Sequence, residues 1–199
     1  MKKLLTMCIT GFIFISCVTI NLGQRDDSVF LKKWQDASSK SIADQMTMYK
    51  NDSACLNNLM NSRTSLLSGL RKKFYDSCVK NNDRIYGNEF YILETSTRSE
   101  SMRFDFYIES KQKQDKIFHY SCEKSCLLLS EKTININEPN SLERFFNENN
   151  PSTCSDYFPL GSFIISHFKN NEVVSKVYTF PSKEVLHTLV QALKIFEKE

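Results

Sequence analysis

The chain has 199 residues, 41% of them hydrophobic and 25% charged, with a formal net charge of +3. That length suits one medium domain able to bury roughly 70% of its unfolded surface, so no disulfide-stapled miniprotein scaffold is required. Setting aside Lys2 and Lys3 brings the charge from +3 to +1, a balance too even for nucleic acid, whose binding needs concentrated Lys and Arg.

Lys2 and Lys3 precede a mostly apolar run from Leu4 to Ile15, followed by Ser16 and Cys17. A charged start, about a dozen apolar residues and a small residue near the end are the three parts of an export signal. A spanning helix needs roughly 20 apolar residues, and Ser16, Thr19 and Asn21 interrupt this run. Phe14-Ile15-Ser16-Cys17 resembles the lipobox of bacterial lipoproteins, with Phe14 standing where that pattern has an aliphatic residue. The resemblance implies that Cys17 is acylated on sulfur and becomes the new N-terminus, which would hold the protein on a membrane; the acyl chains exceed the two-signal requirement for stable anchoring. The alternative is ordinary cleavage further on, for example after Gly23, leaving a soluble secreted protein. Residues 1–16 are then a signal peptide, 17–27 a tether and 28–199 a single domain.

Asp26, Asp27 or Ser28 can cap a first helix over about 28–49, marked by Phe30, Trp34, Ala37 and Ser41. A polar turn at 50–53 leads into a second helical pattern to about residue 80, which closes a helical hairpin. Within it, Arg71-Lys72-Lys73 reads as a solvated helix face. At Asn81-Asn82-Asp83 the period changes from 3.6 to 2. Phe90–Thr95 is largely apolar, and Phe104, Phe106 and Ile108 alternate with Arg103, Asp105, Tyr107 and Glu109, which predicts a strand with one wet face. Ile117–Cys122, Cys126–Ser130 and Thr133–Asn137 continue as strands of an antiparallel meander. Ser141–Phe146 is a short helix, and 147–159 reads as a loop. Ser162–Phe168 and Val173–Phe180 form a hairpin across Lys169-Asn170-Asn171-Glu172, where asparagines tolerate positive φ. Ser182 can cap a last helix carrying Val185, Leu189, Ala192, Leu193 and Phe196. The expected fold is α+β: a helical hairpin, an antiparallel sheet of six or seven strands, and a C-terminal helix packed on it.

Beyond Cys8 in the signal and Cys17, the cysteines are Cys55, Cys78, Cys122, Cys126 and Cys154. Five is odd, so an acylated Cys17 leaves at least one thiol without an intramolecular partner, whereas a retained Cys17 would allow three bridges. Cys122 and Cys126 flank a three-residue loop, and in a hairpin they would face each other at about 4.5–5.5 Å between Cα atoms, within disulfide range; Cys154 can compete for either. On one unbroken helix Cys55 and Cys78 would lie roughly 35 Å apart and could not bond. The CxxxC spacing differs from that of CxxC redox enzymes, so the bridge is read as structural.

His119, His167 and His187 show no ligand spacing, and neither a metal nor a cofactor is expected. No GxSxG, SxxK or phosphate loop is present. With eight tyrosines and fifteen phenylalanines, aromatic surface is the better signal. Tyr91, Tyr107, Tyr120 and Tyr178 are binding candidates on strand faces, unless helices cover both faces of the sheet. The expectation is a membrane-anchored envelope module that binds another envelope protein, or an incoming toxin if it resembles immunity lipoproteins. A hydrolase whose site assembles only in three dimensions is the alternative.

Overall fold

In a computed structural model of the chain, the described residues are 27–60, 70–80, 89–97, 103–111, 115–123, 125–134, 141–151, 163–178 and 181–197. Cys17, the predicted signal peptide and Cys154 lie outside them. Helix α1 (Asp27–Met48) buries Phe30, Trp34, Ser38 and Gln45, a stripe at mostly four-residue spacing that includes two polar residues. Asp27 binds back to the next helical segment: it accepts from Tyr75 Oη at 3.0 Å and pairs with Lys80. Its carboxyl is held below the usual range, chiefly by the hydrogen bond from Lys80. Helix α2 (Ser53–Met60) is capped by Asp52, whose Oδ1 accepts from the Cys55 N–H at 2.9 Å. Residues 70–74 are helical and run into a π-helical turn, Tyr75–Val79.

Six antiparallel strands follow: β1 (Glu89–Thr97), β2 (Arg103–Lys111), β3 (Asp115–Cys122), β4 (Cys126–Ile134), β5 (Phe163–Lys169) and β6 (Glu172–Tyr178). The meander β1 to β4 and the hairpin β5–β6 meet at β1, giving the spatial order β4-β3-β2-β1-β5-β6. The segments read as two strands at 126–130 and 133–137 are one: β4 runs unbroken from Cys126 to Ile134. Asn170 and Asn171 turn the β5–β6 hairpin at φ of 50° and 67°, the left-handed pair that a two-residue hairpin turn demands. Helix α3 (Leu142–Glu148) is capped by Ser141, and α4 (Lys183–Glu197) by Ser182, whose Oγ accepts from the Val185 N–H at 3.3 Å. The α+β class, the single antiparallel sheet and the flanking N- and C-terminal helices agree with the sequence reading.

Both faces of the sheet are covered. On one, Phe30 and Trp34 of α1 and Phe74, Tyr75, Cys78 and Val79 pack on Phe90, Ile92, Phe106, Ile108, Phe118 and Phe168. On the other, Leu142, Phe145 and Phe146 of α3 and Leu186 and Leu189 of α4 pack on Tyr91, Leu93, Ile117, Phe163 and Ile165. The face of β2 read as wet is therefore dry: Asp105 and Glu109 are buried and Tyr107 is half-buried. Alternation separates the two faces of a strand but does not say which of them another layer will cover.

Arg71 also departs from the solvated-face reading. Its guanidinium is buried and grips Glu94 through two bonds, Nε to Oε2 at 2.8 Å and Nη2 to Oε1 at 2.7 Å. It also donates to Ser38 Oγ at 2.9 Å and Gln35 Oε1 at 3.2 Å, and lies 4.7 Å from the centre of the Trp34 ring. A buried charge is tolerable only when its partner and its remaining donors are both satisfied, and here one side chain ties α1, the segment 70–80 and β1 together. Lys72 stays exposed, paired with Asp76.

Candidate functional site: the two edges of the sheet and the polar α4 face

The sheet has two edge strands, and they are finished differently. Over β6, α1 supplies side chains to the outer backbone: Ser41 Oγ accepts from the Val177 N–H at 3.1 Å, and Gln45 Nε2 donates to the Val177 carbonyl at 2.7 Å. Lys33 donates to the Asn171 carbonyl at 2.9 Å. Such capping removes the unpaired backbone groups through which edges recruit foreign strands. Of the two buried polar residues of α1, Gln45 is explained by the edge it serves and Ser38 by the Arg71 guanidinium it accepts from.

Among the described residues no such cover lies over the first half of β4. Leu127, Leu128 and Leu129 are 61%, 48% and 49% exposed. Among the described residues no side chain hydrogen-bonds their backbone. The pairing explains why three consecutive leucines emerge. Leu127 lies level with Ser121 and Leu128 with Tyr120, on opposite faces, and the register then shifts so that Ser130 faces His119 and Leu129 has no partner. This bulge adds a residue to the free edge. Further along, the strand carries charge: Glu131 pairs with Lys116 at 2.9 Å, and Lys132 follows.

The start of β4 is fastened by the Cys122–Cys126 disulfide, with Cα atoms 4.1 Å apart, directly opposite in register. The predicted hairpin bridge is present. Cys55 is also disulfide-bonded, and Cys78 is a free buried thiol that burial pushes up to about 11. At neutral pH it is a protonated core residue and a poor nucleophile.

Of the tyrosines read as binding candidates, Tyr91, Tyr120 and Tyr178 are buried and Tyr107 half-buried. They build the core in place of an exposed aromatic surface. Tyr91 stacks on His167 with centroids 4.2 Å apart, Tyr107 stacks on His119 at 4.2 Å, and Tyr120 meets Phe74 edge-on at 5.4 Å. Tyr178 stacks on Phe163 at 4.5 Å and donates to the Asn149 carbonyl at 2.8 Å, its hydroxyl pushed above the ordinary range by burial.

The α4 face gathers the polar residues from which chemistry could be built. His119 Nε2 lies 3.6 Å from Asp105 Oδ1, and Ser130 faces His119 across the β3–β4 ladder. Three residue types of a charge relay thus share one face, with His119 Nε2 buried and without a hydrogen-bond partner among the described residues. His167 Nε2 binds Glu89 Oε1 at 2.8 Å, and Lys169 pairs with the same carboxylate at 3.0 Å. Partial burial raises the Glu89 pKa, but Lys169 and His167 outweigh it and hold the carboxyl below its ordinary value. His187 is exposed on α4. Among the described residues no cluster of His, Cys, Asp and Glu is arranged to hold a metal, and no helix is long and apolar enough to cross a membrane.

Glu109, read as a surface carboxylate, is fully buried, and its Oε2 accepts from the Leu142 N–H at 2.6 Å. It caps the N-terminus of α3. At the other end of that helix, Lys176 donates to the Phe146 and Asn149 carbonyls and to Asn150 Oδ1. An acid at a helix N-terminus and a base at its C-terminus both match the helix dipole. Burial lowers the Lys176 pKa. Glu109 and Lys176 are thus the supports of a short helix. Neither role has a local sequence signal, because the helix ends they serve lie about thirty residues away in the chain. The leucines were visible as an apolar run, but nothing local told that their strand would be an edge. The chain matches no protein-family model, no curated protein and no solved structure.

Proposed function

We propose that this chain is a binding module of the bacterial cell envelope, anchored through an acylated Cys17 and contacting a partner protein along the first half of β4. The observation that carries the binding surface is the exposure of Leu127, Leu128 and Leu129 on an uncapped strand edge. A bare edge can bind an extended segment through its backbone, with specificity supplied by side-chain pockets. The contrast with β6, capped by α1, supports reading the bare stretch as a working surface. The anchor rests on the lipobox resemblance of Phe14-Ile15-Ser16-Cys17.

Affinity capture from detergent-solubilised membranes tests the surface, with the full chain compared to Leu128→Lys. A protein recovered by the first and lost by the second supports the reading. Equal recovery by both places the contact elsewhere, and no partner combined with turnover of an envelope substrate would favour the hydrolase. Mass spectrometry of the mature N-terminus tests the anchor: an acylated Cys17 is expected, and a start at Val18 or Gln24 without acyl mass overturns it.

A further inference from the structure

We propose that the Cys122–Cys126 disulfide is a redox-sensitive clasp: a dithiol reductant opens it in the folded protein, and its state sets the order of the leucine stretch of β4. The clasp stands on its own geometry. Its consequence for binding deepens the reading of β4 as a contact surface and rests on it.

The bridge joins residues that the β3–β4 ladder already holds opposite each other, and the ladder continues past it to Asp115 and Ile134. It closes a loop of only three residues, so on the chain-entropy model it constrains the unfolded chain less than a bridge over a long loop would. Opening it therefore leaves the rest of the sheet paired. Locally the bridge matters more. The register shift after Leu128 interrupts the ladder, so the start of β4 pairs with β3 through three positions: Cys126 with Cys122, Leu127 with Ser121 and Leu128 with Tyr120. Among the described residues its outer side has neither a neighbouring strand nor a capping side chain. A segment with few neighbours and an open backbone can open by itself while the core stays folded, and the disulfide is the covalent hold of this piece on β3.

The two sulfurs differ in access. Cys122 is fully buried, whereas Cys126 is half-buried on the edge strand between exposed Ser125 and Leu127. A thiolate of the reductant attacks Cys126 Sγ, the S–S bond breaks, and Cys122 leaves as a thiolate that takes up a proton. The second thiolate of the reductant then displaces Cys126, which is released and protonated to a thiol. The reductant departs as a cyclic disulfide, and two electrons have passed to the bridge. Lys73 donates to the Glu123 carbonyl at 3.2 Å, which sets a cation at the residue after Cys122, where it favours a leaving thiolate. The pair is acted on and catalyses nothing, in keeping with its CxxxC spacing.

Titration of the full chain in detergent with dithiothreitol at neutral pH, with alkylation mapped by mass spectrometry, is the test. Cys122 and Cys126 should be alkylated together while Cys78 stays unmodified, because that buried thiol reports unfolding of the core. Hydrogen exchange over Cys126–Leu129 should then run roughly tenfold or more faster, with β1 and β2 still protected. Cys122→Ser/Cys126→Ser should show the fast exchange without reductant and respond to it no further, which separates this bridge from the one at Cys55. Alkylation of Cys122 and Cys126 only together with Cys78 overturns the clasp, as does exchange at β4 that reduction leaves unchanged. Capture of the membrane partner by the reduced chain should fall by roughly tenfold. If it stays equal while Leu128→Lys loses the partner, the β4 surface stands and its regulation falls. If Leu128→Lys also captures equally, the reading of β4 falls and the clasp is decided by alkylation and exchange.

Discussion

The two edges of the sheet show opposite solutions to one physical problem. β6 is sheathed: α1 lies against it and places Ser41 and Gln45 on the backbone of Val177, while Trp34 Nε1 donates to Ser166 Oγ at 2.9 Å and Ser166 to or from Ser175 at 2.8 Å. β4 is bare where it carries leucines and charged where it carries Glu131 and Lys132. The difference teaches that the exposed half of β4 is a local exception in a chain whose other edge is closed by dedicated polar side chains.

The largest effect should come from removing the residue that ties the sheathing helix to the sheet. Arg71→Ala leaves Glu94 buried without its partner and should cost about 3–5 kcal/mol, read as a lower urea midpoint. A loss below about 1 kcal/mol would mean that α1 stays on the sheet without the ion pair. The double variant Ser41→Ala/Gln45→Ala uncaps β6 directly. At about 0.5–1.5 kcal/mol per hydrogen bond the loss should be about 1–3 kcal/mol, and static light scattering should show concentration-dependent association exceeding that of wild type. If the uncapped protein assembles no further than wild type, the sheath is packing and not edge protection.

The bare edge has its own fastening. Cys122→Ser/Cys126→Ser opens the mouth of the β3–β4 hairpin and should lower stability by about 2 kcal/mol on the chain-entropy model, measured by denaturant unfolding. The smallest effect belongs to the ionic cluster on Glu89. Its folded pKa lies below the ordinary 4.5, so its stabilisation is complete above that value and is lost as pH falls through the lower, folded one. Glu89→Gln should therefore flatten the acid limb of a stability–pH profile below about pH 4.5 and leave the profile above pH 6 parallel to wild type.

Much of the fold could be read locally because local rules decided it. The change of period at residues 81–83, the Asn170-Asn171 turn and the Ser141 and Ser182 caps depend on neighbours a few residues away. What failed locally depends on layers and strand order. Asp105, Glu109 and Tyr107 looked solvated because their strand alternates, and only the docking of α3 and α4 makes that face dry. Arg71 looked solvated beside Lys72 and Lys73, and only Glu94 on β1 accounts for its burial. The tyrosines were read as surface for the same reason. Leu127, Leu128 and Leu129 lie in the segment expected as a strand over Cys126–Ser130, and their exposure follows from β4 standing last in the order β4-β3-β2-β1-β5-β6.

Glu109 and Lys176 have a consequence for how the chain can be assembled. Seven residues make too short a helix to persist in water alone, so α3 takes its order from the sheet. The sheet offers a carboxylate at one end of the site and an ammonium at the other. Turned end for end, the helix would set its carbonyls against Glu109 and its N–H groups against Lys176. The site is therefore a keyed socket that admits α3 in one direction, and β2 and β6 enforce the polarity of a segment that could not enforce it by itself.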